Sequence, residues 1–169
     1  MGEQSSPWRR VLPWVLGWLG FQLAVAVAGR LAARRLDEGD EGSTSIRRVL
    51  AQRGLELRPT NPALSSVEVD VAMGGVNLDL GRLNPVDRDV TTPVVDLRVR
   101  VLMGGVAVHV PPEWRVWTSF RGLGGIGVAP GTQRTDDEHE ADLRVHARVL
   151  FGGVGIESSH RSGRAAGAR

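Results

Sequence analysis

Several residue groups in this chain could do chemistry. Gly122-Leu123-Gly124-Gly125-Ile126-Gly127 satisfies G-x-G-x-x-G, a pattern whose glycines let backbone approach a pyrophosphate at a helix N-terminus. Asp136, Asp137, Glu138, His139 and Glu140 form the densest run of groups that could ligate a metal. His109 and His146 could move protons near neutral pH. Asp70, Asp79 and Asp96 could supply a carboxylate pair.

The surrounding sequence limits each of these. Val128-Ala129-Pro130-Gly131 follows the glycine motif, which reads as a strand end and a turn where a dinucleotide site needs a helix. The acidic run lacks glycine-punctuated calcium spacing, and His139 has no second histidine three or four residues on, so a solvated turn is the reading. His109 and His146 fall on the outward parity of their strands, and strand-face acids ordinarily serve solubility. Ser65, Ser66, Thr91, Thr92, Thr118 and Ser119 have no G-x-S-x-G context. With no cysteine there is no thiol nucleophile, thiolate metal site or disulfide. All 21 basic residues are arginine, which removes lysine Schiff bases and the P-loop lysine. The expectation is a protein without catalytic residues, cofactor or metal.

The elements that must position these groups are visible in a repeat. Val67, Val69, Val71 and Met73 alternate up to Gly74-Gly75, after which Val76, Leu78 and Leu80 alternate on the other parity. Val95, Leu97, Val99, Val101 and Met103 do the same before Gly104-Gly105 and Val106, Val108 and Val110. Leu143, Val145, Ala147, Val149 and Phe151 do so before Gly152-Gly153, Val154 and Ile156. Period two marks a strand with one buried face, and a change of parity turns the strand inside out unless the backbone bends there. Glycine permits that corner, so Gly74, Gly75, Gly104, Gly105, Gly152 and Gly153 are read as structural corners. Gly124 and Gly125 form a fourth pair without the change of parity, and residues 50–57 resemble a degraded first copy. The spacing alternates between about 20 and about 30 residues, giving a double repeat of about fifty residues, at the upper end of the periods of repeat arrays. Residues 45–54 fit a short helix capped by Ser45 as well as an opening strand. Trp117 lies on the opposite parity from Trp114, Val116 and Phe120, which makes it a candidate partner contact or a cover for a neighbouring coil.

Residues 11–29 carry no charge, and at about 1.5 Å per residue they reach about 28 Å, enough to cross a hydrocarbon core. Trp8, Trp14 and Trp18 cluster at one end as interfacial aromatics do. A membrane helix over 11–30 is one reading; a cleaved signal peptide ending near Ala26-Val27-Ala28 is the other. Arg30, Arg34 and Arg35 favour the anchor, and with Arg47 and Arg48 outnumber Arg9 and Arg10, placing the C-terminal domain in the cytoplasm of a single-pass membrane protein. Organisation follows as an N-terminal flank over 1–10, the helix, a flexible acidic linker over 31–45, a β-repeat domain over 46–157 and a disordered basic tail over 158–169. The net charge is +2, yet residues 59–157 carry nine arginines against thirteen acids, which argues against a nucleic-acid partner.

The segments VAMGGVNLDLG, VLMGGVAVHVPPEW and VLFGGVGI resemble the C-terminal domain of LiaF-like proteins, the cell-wall-active antibiotic response family, and the related toast-rack and bactofilin-like β-repeat domains. The matching features are the Gly pairs, Asp79-Leu80 closing one strand and Val110-Pro111 closing another, over residues 64–157. The resemblance implies an all-β, bent-strand fold of toast-rack or β-solenoid type. It also implies a non-enzymatic membrane protein of envelope-stress signalling that restrains a sensor histidine kinase. Members of that family carry several membrane helices, whereas this sequence has one apolar stretch. Asp79 is the second candidate contact. The alternatives are a scaffold that polymerises end to end as a homo-oligomer, and an exported envelope domain.

Overall fold

Valine and leucine at every second position favour extended backbone with one apolar face. The computed structural model describes residues 37–83 and 93–159 and four isolated helical positions, Gly20, Ala24, Val27 and Leu31. The N-terminal flank, the membrane helix expected over 11–30 apart from those positions, residues 84–92 and the tail expected beyond Ser159 lie outside the described residues.

The described chain is mostly β and forms one sheet. Its strands are β1 (Ser45–Leu50), β2 (Arg53–Leu57), β3 (Ser66–Asp79), β4 (Val95–Val110), β5 (Arg115–Gly122), β6 (Gly125–Val128), β7 (Gln133–Arg134) and β8 (Leu143–Ser158). All the strand pairings are parallel. The order is β1-β3-β4-β8-β5-β7, with β2 continuing β1 beside β3, and β6 continuing β5 beside β8. Residues 45–54 therefore open the sheet as strand and not as helix, because Ile46 and Leu50 pair in register with Val67 and Val71 and share their buried face.

Each long strand has two arms, and one apolar cluster fills the inside of the bend. Val67, Leu97 and Val145 stack in register on the first arm; Leu78, Val108 and Ile156 stack on the second, and all are buried in the same cluster. Trp114 is buried against this cluster, and Leu64 and Leu83 complete it from the connections.

The corner differs in detail from the alternation. Met73, Met103 and Phe151, placed on the inner face by parity, are 42 %, 48 % and 54 % exposed. The reason is the residue that follows. Gly74, Gly104 and Gly152 have φ of 132°, 131° and 126°, which swings the preceding side chain outward. The bend thus begins after Val71, Val101 and Val149. In these three pairs only the first glycine has positive φ. A Cβ on Gly104 would overlap the Gly74 carbonyl oxygen, and one on Gly152 would overlap that of Gly104. On the second glycine a Cβ is less restricted: at Gly75 it would meet Gly105 O at 3.7 Å, an ordinary contact.

The fourth corner is built otherwise. Gly122, not Gly124 or Gly125, carries the positive φ, at 140°. Gly122 pairs with Val149 and Gly125 with Gly153, so this corner has one residue fewer than the one in β8. That missing residue accounts for the unchanged parity. Gly124 is needed for close approach to the Gly152 carbonyl, whereas a Cβ on Gly125 would meet nothing within 4 Å.

The stack does not follow chain order. A serial array would set β5 and β6 against β4, but β8 lies there instead. β8 matches β4 from Leu143 opposite Val95 to Ser158 opposite Val110, a longer buried ladder than β5 and β6 could offer.

Residues 37–44, read as flexible from their acidic composition, are hydrogen-bonded to the β1 end of the sheet. Glu38 and Arg47 exchange both backbone bonds, 3.0 and 2.8 Å. Asp37 Oδ1 accepts from Val49 N–H at 2.8 Å, and Thr60 N–H donates to Glu41 O at 2.8 Å. Arg48 lies opposite Val69 and spends its guanidinium on the carbonyls of Glu38 and Gly39, 3.1 and 2.8 Å. The Ser43 hydroxyl and then the Gly42 N–H hold the Asp40 carboxyl below its ordinary pKa.

Candidate functional site

The parallel register turns single residues into rows that cross the sheet, about 4.8 Å apart from strand to strand. Asp79, His109 and Glu157 form one such row on the outer face of the second arm. His109 Nδ1 lies 3.1 Å from Glu157 Oε1. Asp79 turns the other way, its Oδ1 accepting the Gly81 N–H at 2.9 Å, which closes the turn after β3. Asp79 is half-buried, so its firmest contact is with its own loop. The Ser159 hydroxyl nearby donates to Val110 O at 3.1 Å. A carboxylate-oriented imidazole is present, and a hydroxyl held ready for it is not among these bonds.

His146, the other candidate proton carrier, belongs to a different arm. Trp117 meets it edge-on, ring centroids 5.3 Å apart and planes at 65°. Trp117 is half-buried on β8 through this contact, so it acts first as cover for a neighbouring strand.

The polar run after β7 is a 3-10 turn, Glu138–Glu140. Asp137 Oδ1 accepts the His139 N–H at 2.8 Å, and Glu140 pairs with Arg115 at 3.1 Å. Among the described residues no three His, Cys, Asp or Glu side chains converge as metal ligands. The glycine motif spans β5 and β6, with no helix N-terminus behind it.

At each end of the stack the first arm is partly covered, and among the described residues no strand covers the outer edge of the second arm, β2 at one end and β6 at the other. The β1 end carries the antiparallel bridge of Glu38 to Arg47. At the other end β7 pairs with Arg115 and Val116 alone.

Parity along one strand missed a further surface that emerges from register between strands. Arg100, Arg148 and Arg121 are neighbours on β4, β8 and β5. Beside them runs a shallow groove of about 780 Å³ lined also by Ala51, Ala72, Leu102 and Leu150. Among the described residues no helix is long and apolar enough to cross a membrane. Compared with known proteins, the chain matches no family model, no curated protein and no solved structure.

Proposed function

We propose that this chain is a non-enzymatic, membrane-anchored regulator of LiaF-like type. Its toast-rack, solenoid-like β-domain faces the cytoplasm and binds another membrane protein. The partner class that the resemblance implies is a sensor histidine kinase. The observation that supports partner binding is an uncovered strand edge on the second arm. An open edge at β6 offers unpaired backbone groups to an added strand, while residues 37–44 blunt the β1 end.

The test has two arms. With a C-terminal epitope on the full chain, protease added to intact spheroplasts should leave it at full length; digestion overturns the cytoplasmic reading. Gly127→Lys then places a charge on the open edge, where a Cβ meets nothing within 4 Å. It should reduce kinase co-purification at least tenfold with unchanged thermal stability. Undiminished co-purification removes the edge as the contact.

A further inference from the structure

The groove beside the arginine row breaks two local rules at once. Arg100, Arg148 and Arg121 place three like charges on adjacent strands, an arrangement that opposes sheet formation. Arg100 is compensated by Glu68 at 2.6 Å and Asp70 at 3.4 Å. Arg148 and Arg121 are exposed and make no ion pair among the described residues. Leu102 and Leu150, which line the groove, are 54 % and 41 % exposed, and their chain neighbourhood adds Phe151 after Leu150 and Leu123 after Gly122, 54 % and 77 % exposed. Exposed leucines lining a groove together with unpaired arginines are costly in water and mark a surface meant for something else.

The groove has a direction. Val49 and Ala51 line it at the β1 end, and the Val49 N–H is the group that the Asp37 carboxylate holds. The chain therefore joins the domain at one end of the groove, eight residues after the charge-free stretch ending at Gly29, with Arg30, Arg34 and Arg35 between. If that stretch enters a bilayer, the groove and its arginines are tethered within reach of the headgroups.

We propose that this face docks on an anionic bilayer surface, with Arg121 and Arg148 among the phosphates and Leu150, Phe151 and Leu123 at the acyl boundary. Charge complementarity and the entry point of the chain select this occupant. A protein or second copy on the same face is the competing outcome. Docking rests on the membrane-anchored reading and adds a surface to it: it fixes how the domain lies on the membrane and leaves the β6 edge to a protein partner.

The absence of cysteine makes the test direct, since one introduced thiol takes one label. Full-length Phe151→Cys and, as control, Gln133→Cys are labelled with an environment-sensitive fluorophore. They are reconstituted with phosphatidylcholine vesicles, with or without about one-third phosphatidylglycerol, doped with a headgroup-region nitroxide quencher. Docking predicts quenching at position 151 and not at 133, with anionic vesicles, weakened by salt. Each arginine near an anionic surface contributes about fivefold, so Arg121→Gln with Arg148→Gln should lower docking about twenty-five-fold with an unchanged thermal midpoint. Equal quenching at both sites, or quenching indifferent to lipid charge and salt, overturns the proposal. So does a blue shift without quenching that grows with protein concentration, which assigns the face to a second copy.

Flotation of the same samples keeps the two readings apart. Flotation with neutral and anionic vesicles but no quenching at 151 overturns docking and leaves the anchor standing. Flotation with anionic vesicles alone, quenched at 151 and abolished in the double variant, overturns the anchor and supports docking.

Discussion

Two glycines of a pair occupy adjacent positions yet answer to different physics. Gly104 combines φ of 131° with a site where a Cβ would overlap the Gly74 carbonyl. Gly104→Ala is therefore expected to cost about 3 kcal/mol or more, since neither neighbouring strand can retreat without losing its own ladder. Gly75→Ala meets only the 3.7 Å contact, and should change stability by less than about 1 kcal/mol, in the stabilising direction through the unfolded chain. Urea titrations of the two variants check both, and comparable losses would show that the corner needs two flexible residues. Trp117 carries a different prediction. Its edge contact with His146 at 5.3 Å makes Trp117→Ser destabilising and coupled to His146→Ala by about 0.5–1.5 kcal/mol in a double-mutant cycle. Additive losses would return Trp117 to the role of a free surface contact.

An edge strand survives only if its outer groups are managed, and β1 is managed by the segment before it. Arg48 ties that segment down through the carbonyls of Glu38 and Gly39. Arg48→Ala should cost about 1 kcal/mol. It should also raise hydrogen exchange at the amides of Glu38 and Arg47 while those of β4 and β8 keep their protection. Uniform loss of protection would mean that this cap is part of the global cooperative unit. The same elements show what a sequence can disclose. β3, β4 and β8 were legible because alternation over a long strand is a local signal. The corner side chains Met73, Met103 and Phe151 were not, since a positive φ at the next residue overrules parity. Residues 37–44 read as linker because acidic composition says nothing of a distant N–H such as that of Val49. The arginine row was invisible for a related reason: Arg100, Arg121 and Arg148 become neighbours only once the register between strands is known.

At the scale of the molecule, the governing fact is that the last strand among the described residues is not the last in the sheet. β8 lies between β4 and β5 and pairs with β6 as well, so Val145 and Ile156 bridge the ladders on both sides. In a serial repeat protein each unit contacts only its chain neighbours, and removing the final unit leaves a shorter folded stack. Here removal of β8 separates β5 and β6 from everything before them and uncovers the apolar ladder of β4 along its length. Truncation after Asp142 is therefore expected to abolish cooperative thermal unfolding, not to shorten the stack by one layer. The intact chain should unfold in one transition, since a single apolar cluster spans both arms of β3, β4 and β8. Circular dichroism melts of the two chains decide the matter. A truncated chain that still melts cooperatively would mean that β4 can take β5 and β6 directly, as chain order would have it. The same topology delays completion of the sheet until Ser158 has been made. Its β-pairings are non-local, so refolding should be slow, on the order of milliseconds to seconds. Variants within β8 should slow it more than variants of equal cost in β1, which joins from the edge.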